Sequence, residues 1–189
     1  MDTSYSLKEK VGQLFIIAVQ NDELDDSLKR AIKHYNVGGV ILFQRNLRQL
    51  SNVISFIRDI QLYAKKVGRP PLWISIDQEG GGISYLWEGT AVSPGNMLLG
   101  ATNNPQNAYN AHYHMGLQLK KIGFNMNFSP VLDINNNPEN PVIGARSFGE
   151  AKELVTEMGI QAIQGLHNAK IMPAASTFQD MVIQSSIPI

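Results

Sequence analysis

Two carboxylates one residue apart, Asp77 and Glu79, are followed at once by Gly80-Gly81-Gly82. They stand at the end of the apolar run Leu72–Ile76. Carboxylates so placed can move protons, accept hydrogen bonds from hydroxyls, or pair with a cation. A charge at the end of a buried run needs a partner or a ligand. The glycines allow positive φ or the close approach of a ligand to the backbone. A third acid, Asp133, closes another apolar run, and Arg146 in the next loop offers a rigid fork of donors. The plainer alternative is an ordinary turn, with Asp77 or Glu79 capping the next helix. His112 and His114 are two apart, not the four that puts two ligands on one helix face, so they read as surface or satisfied residues. Neither a metal nor an organic cofactor is implied.

The elements that must position these residues alternate regularly. Leu14–Val19 is a short apolar run and reads as a buried strand. Asp22–Tyr35 has helical spacing, with Leu24, Leu28, Ala31, Ile32 and Tyr35 on one face and acids in its first turn. Val40–Phe43 is a second strand. Leu47–Val67 is a helix with Leu50, Ile54, Ile57, Ile60 or Gln61, and Ala64 inward, ended by Gly68 and Pro70-Pro71. Leu72–Ile76 is the third strand, and Ser84–Pro105 is a long irregular section. Then come a helix over Asn107–Ile122, a strand over Asn127–Ile134, a polar loop, a helix over Glu150–Asn168 and a strand over Lys170–Ala175.

Strand and helix alternating in this way predict an α/β fold with a parallel sheet. Two architectures are open. A doubly wound sheet suits 189 residues but prefers a short glycine-rich turn onto a helix, and no G-x-G-x-x-G opens one here. A (β/α)8 TIM barrel gathers its site at successive strand C-termini, as Asp77, Glu79, Asp133 and Arg146 suggest, but needs about 250 residues. A formal net charge of +0 leaves no footprint for nucleic acid. No apolar run approaches the roughly 20 residues of a membrane helix. With no cysteine there is no disulfide or thiolate site. The polar N-terminus predicts a cytoplasmic protein, or one whose export signal has been removed.

Five segments, in order, resemble the N-terminal barrel domain of glycoside hydrolase family 3. They are Glu9–Leu14 (EKVGQL), Gly38–Phe43 (GGVILF), Ile76–Gly81 (IDQEGG), Gly123–Asp133 (GFNMNFSPVLD) and Asn137–Gly149 (NPENPVIGARSFG). The similarity runs from Leu7 to Ala175 and is greatest to the NagZ-like β-N-acetylhexosaminidases, which act on N-acetylglucosaminides such as peptidoglycan fragments. It implies a TIM barrel of which about the first five β/α units are present. It also implies that Asp77 binds sugar hydroxyls and that Arg146 helps hold the glycoside. Asp133 would orient the site or its loops. The family gives Glu79 no general-acid role, so Glu79 is read as structural. Family members often carry arginine at the positions of Gly82 and Tyr85. Tyr85 can stack on a sugar ring in its place, or simply pack.

After the fifth strand the family continues Lys-His-Phe-Pro-Gly-His-Gly-Asp-Thr, a loop with substrate-binding Lys-His and a histidine acid/base. This chain has Ser176-Thr177-Phe178-Gln179-Asp180-Met181-Val182-Ile183. With synonymous codons chosen to test the match, the family motif can be written AAG CAC TTT CCA GGA CAT GGT GAT ACA; removing one A gives AGC ACT TTC CAG GAC ATG GTG ATA, which translates to those residues one for one. The expectation is therefore residues 1–175 as the family domain and 176–189 as a frameshifted tail. The histidine acid/base and the downstream aspartate nucleophile of the retaining double displacement would both be missing, leaving no catalytic residue and no turnover.

Three functions fit these residues. One is a truncated family 3 β-N-acetylhexosaminidase whose partner is an N-acetylglucosamine-containing glycoside. Another is a non-catalytic homologue that binds carbohydrate or a partner. The last is an unrelated enzyme that binds phosphate through its glycines. In the first, open sheet edges predict self-association, with no membrane or nucleic-acid partner.

Overall fold

The structure, a computed structural model, describes residues 5–87, 89–137 and 139–176. They form two compact units. One takes the chain up to Ile76 together with Lys121–Met126; the other takes Asp77–Lys120 and the chain from Asn127 onward.

The first unit opens with helix α1, Leu7–Gly12, which hydropathy alone does not reveal. Its start is a capping box. Ser6 Oγ accepts from Glu9 N at 3.3 Å, and Glu9 Oε2 accepts from Ser6 N at 3.0 Å. Glu9 also accepts from Arg69 Nη1 at 2.6 Å, which ties α1 to the chain beyond the next long helix. Strand β1, Ile16–Ala18, is shorter than its apolar run, and Leu14 and Phe15 before it are 81% and 56% exposed. Helix α2, Asp26–His34, starts later than its spacing suggests. Asp25 caps it by accepting from Leu28 N at 2.8 Å, so Leu24 lies outside the helix. Leu28 and Ile32 are its buried residues, while Tyr35 faces solvent.

Strand β2, Gly39–Leu42, runs parallel to β1 and to β3, Trp73–Ile76. Between them, helix α3, Leu50–Lys66, buries Val53, Phe56, Ile57, Ile60 and Ala64. This face is rotated from the expected one: Ile54 is exposed, and Gln61 turns its amide to the backbone. Gln61 Nε2 donates to Leu72 O at 2.9 Å, and Gln61 Oε1 accepts from Leu72 N at 3.0 Å, satisfying both groups of the residue before β3. Val40, Leu42, Ile74 and Ile76 are inaccessible to solvent, as expected of central parallel strands. Each such side chain contributes roughly 1.5–3 kcal/mol of burial.

The second unit contains helix α4, Asn96–Ala101, within the stretch expected to be irregular. Its signal is masked by Pro94-Gly95. It forms because Leu99 joins a core of Ala108, Phe148, Val155, Met158 and Ala162. Gly100 lies so close to the Phe148 carbonyl that any side chain there would collide with it. Helices α5, Pro105–Ile122, and α6, Lys152–Asn168, match the expected spans to within two residues at either end. Strand β4 is only Met126–Asn127, not Asn127–Ile134, since Pro130 has no N–H to continue a ladder. Beyond it, Val131 makes a single parallel bridge to Ser176. Strand β5 is Met172–Pro173. Ser176, the first residue of the expected tail, donates to Pro130 O and accepts from Leu132 N, both at 3.0 Å. The other tail residues, 177–189, lie outside the described ones.

The strand order is β1-β2-β3-β4-β5. A doubly wound sheet reverses its strand order at a switch point, whereas a barrel adds each strand beside the last. The order therefore selects the first five β/α units of a TIM barrel over the doubly wound alternative. Among the described residues, no helix is long and apolar enough to cross a membrane.

Candidate functional site

Asp77, Gln78 and Glu79 leave β3 with three different fates. Asp77 is half-buried, whereas Gln78 and Glu79 are almost fully buried. Asn127 holds the Gln78 peptide at both ends: its Oδ1 accepts from Gln78 N at 2.9 Å, and its Nδ2 donates to Gln78 O at 2.8 Å. The side chain thus replaces a strand ladder at the point where the chain turns out of the sheet. Gln78 Oε1 accepts in turn from Tyr85 N at 2.9 Å. This fixes the returning chain, and Tyr85 with it. The turn between them needs two of the three glycines. Gly80 and Gly81 have φ of 96° and 58°, and a side chain on Gly80 would meet Ser93. Gly82 is exposed with open space around it, so backbone geometry does not demand glycine there.

Glu79 is the partner of Arg146. The guanidinium donates through Nε to Oε2 at 2.9 Å and through Nη2 to Oε1 at 2.7 Å. Arg146 also donates through Nη1 to Val142 O at 3.2 Å, and its carbonyl accepts from Asn96 Nδ2 at 2.8 Å. Its side chain is 21% exposed and sits on the short 3-10 turn Gly144–Arg146. The pairing with Glu79, ahead of the burial that opposes it, holds its proton more tightly than usual, and Asp133 and Asp77 add to this through their charge. Asp133 is buried, and its carbonyl accepts from Ser147 Oγ at 2.6 Å.

Asp77 has its carboxyl pushed above the ordinary range. Burial is the main cause, repulsion by Glu79 comes second, and Arg146 opposes both. The Tyr85 phenol is likewise raised, by burial first and then by the charges of Asp77 and Glu79. The structure therefore brings Asp77, Glu79, Tyr85, Asp133 and Arg146 into one electrostatic group. His112 and His114 are apart from it in role. His112 is buried in the helical core with Nδ1 donating to Ala108 O at 2.9 Å, and His114 is exposed.

A half-buried carboxylate beside an anchored guanidinium can accept hydroxyl hydrogen bonds in a fixed direction. The residues that do the anchoring are the ones sequence reading passes over. Asn127, Asn96 and Ser147 are small polar residues in unremarkable positions, each recognisable only by the backbone group it meets. The alternation Asn125-Met126-Asn127 is the one available hint, since residues two apart share a strand face.

Residues 6–181 match the model of the glycosyl hydrolase family 3 N-terminal domain. Beta-hexosaminidase A of Pseudoalteromonas piscicida is 36% identical over 160 residues, covering 82% of this chain and 27% of that protein. Beta-hexosaminidase LpqI of Mycobacterium tuberculosis is 30% identical, covering 92% of this chain and 43% of its own length. A glycoside hydrolase family 3 beta-N-acetylglucosaminidase from Paenibacillus sp. superposes with a TM-score of 0.90 at 43% identity, over 93% of this chain and 33% of that one. The chain spans under half the length of each of these relatives. The sequence matches and the superposition agree with the five resembling segments, and the chain belongs to glycosyl hydrolase family 3 as an N-terminal domain of that family.

Proposed function

We propose that this chain supplies the sugar-holding face of a retaining β-N-acetylhexosaminidase that cleaves terminal N-acetylglucosaminides, cell-wall muropeptides included. Asp77 accepts hydrogen bonds from sugar hydroxyls. Arg146, fixed by Glu79, donates to the glycoside. Asp133 orients the Arg146 loop, and Tyr85 lies against the sugar. The observation that carries this reading is the half-buried Asp77 at the end of β3 in the field of Arg146. None of these residues is assigned as nucleophile or acid/base. A polypeptide of these 189 residues is therefore proposed to bind N-acetylglucosamine without turning over its glycosides. Ligand-observed NMR with N-acetylglucosamine tests the binding: a signal lost in Asp77→Asn supports it, and no signal in the parent chain refutes it. Release of chromophore from a nitrophenyl N-acetylglucosaminide by mass-verified protein would refute the lack of turnover.

Residues 176–183 are proposed to be out of frame with the family's histidine loop. Sequencing the encoding DNA tests this, and a shifted frame that does not encode that loop would refute it. Self-association is proposed along the edge strand β1, supported by the exposed Leu14 and Phe15 beside it. Light scattering that shows a monomer at high concentration would refute it.

A further inference from the structure

We propose that the second half of α3 and the segment leading into β3 form a docking groove for a short acidic peptide. The groove is lined by Arg58, Gln61, Leu62 and Lys65 of α3 and by Arg69 and Pro71 beyond it, and its volume is about 370 Å³. That is the size of a site for a small ligand. Positions 58, 61, 62 and 65 follow the spacing of one helix face, so the helix itself places two cations beside an apolar residue. No acid lines the groove.

The three cations are held differently. Arg69 is 19% exposed and pinned: Nη1 donates to Glu9 Oε1 at 2.6 Å, and Nη2 donates to Lys33 O at 2.8 Å. Its Nε is buried and has no hydrogen-bond partner. An unmet buried donor is costly, and a carboxylate seated beside Arg69 can supply the missing acceptor. Lys65 is exposed and, among the described residues, pairs with no carboxylate. Arg58 has Asp59 at 3.4 Å, but both side chains are open to solvent and such a contact is worth little. Leu62, 57% exposed, adds apolar surface that a free inorganic anion does not use. Arg58 and Lys65 are seven residues apart, about 10 Å along the helix axis. A single phosphate is too small to span that separation. Two acidic residues three apart on a polyproline II peptide lie on one side of it, about 9 Å apart. The wall leading into β3 is already fixed, because the Gln61 amide holds both backbone groups of Leu72. Binding then has little left to order.

NMR titration of the isotope-labelled chain tests this with three probes: the peptide acetyl-Glu-Leu-Leu-Glu-amide, its uncharged counterpart acetyl-Gln-Leu-Leu-Gln-amide, and inorganic phosphate. The acidic peptide is expected to bind saturably and to shift the amides of Leu62, Lys65 and Arg69. The uncharged peptide and phosphate are each expected to bind about fivefold or more weakly. Lys65→Glu, at an exposed position, is expected to weaken the acidic peptide about fivefold or more. Arg58→Glu, at the other end of the groove, gives the same reading should Lys65→Glu not fold. Absence of saturable binding overturns the inference, as does equal binding of the uncharged peptide or an affinity untouched by the charge reversals. Phosphate binding as tightly as the acidic peptide also overturns it, by showing a simple anion site. None of these outcomes bears on N-acetylglucosamine binding, which is measured separately.

Discussion

Glu79 and Arg146 meet fork to fork, Nε to Oε2 at 2.9 Å and Nη2 to Oε1 at 2.7 Å, with the carboxylate nearly inaccessible and the guanidinium at the rim. A bidentate pair fixes the plane of the guanidinium as well as its position. Glu79 is thus a positioning residue: it decides where Arg146 points. Glu79→Gln keeps the shape, loses the charge and replaces one acceptor oxygen with a donor facing a donor. The fold should lose about 2 kcal/mol, the range for a hydrogen bond to a charged group. Urea denaturation at pH 7 measures this as a lower midpoint with unchanged slope. N-acetylglucosamine binding should weaken in step, and Glu79→Asp, whose reach is shorter, should not restore it.

Asp77 should be a stability cost that function requires. Its folded-state carboxyl is raised above 3.8 by burial and by Glu79. A raised carboxyl contributes stability below its unfolded value, and that stability is lost as pH rises through the folded value. At neutral pH the ionised Asp77 therefore works against folding. Asp77→Asn should raise the melting temperature at pH 7, by no more than about 2–4 °C because solvent screens a half-exposed group. It should abolish sugar binding at the same time. Near pH 3 the two proteins should melt together, and a variant that is less stable at pH 7 would contradict the assignment.

Much of this was legible in the sequence, for a physical reason. Strands such as Leu72–Ile76 must be apolar to lie inside a parallel sheet, so their positions show in composition. An acid directly after such a run is conspicuous, which is how Asp77 and Asp133 stand out. What stays hidden is held by side chain-to-backbone bonds, which leave no periodicity. Asn127 clamping Gln78, Gln61 bridging Leu72 and Ser6 capping α1 are each one polar residue meeting one peptide group. The rotated face of α3 has another cause. Its apolar residues outnumber those that fit one stripe, and only packing decides that Phe56 is buried and Ile54 exposed.

Glu9 should govern acid stability of the first unit. Arg69 is the main cause that holds its carboxyl near about 2 in place of 4.5, and the Ser6 bonds of the capping box reinforce it. A depressed carboxyl contributes stability above its unfolded value, lost as pH falls through the folded one. The loss should fall between pH 4.5 and about 2. The protection of the amides at the start of α1, taken as the ratio of intrinsic to observed hydrogen exchange at each pH, should fall across that window. In Glu9→Gln the protection should already be low at pH 6 and change little on acidification.

His112 should make the second unit sensitive to mild acid. Its ring is fully buried and stands 6.2 Å from the Phe148 ring, centroid to centroid. A carbonyl can only accept, so the bond to Ala108 O places the proton on Nδ1 and leaves Nε2 as a bare acceptor. Nε2 is buried without a partner, so protonation there would create a desolvated charge with nothing to receive it. Burial accordingly holds the imidazole down at about 4, against the usual 6.5, with the Ala108 bond opposing it weakly. The unfolded chain then takes up the proton first as pH falls, so the stability present above 6.5 is lost on the way down to about 4. The full effect is about 3 kcal/mol. The C2 proton of His112 should show no titration shift by NMR above pH 5. His112→Leu should flatten the stability profile between pH 6.5 and 4. A normal titration of His112 in the folded protein would show that the ring is not sealed as described.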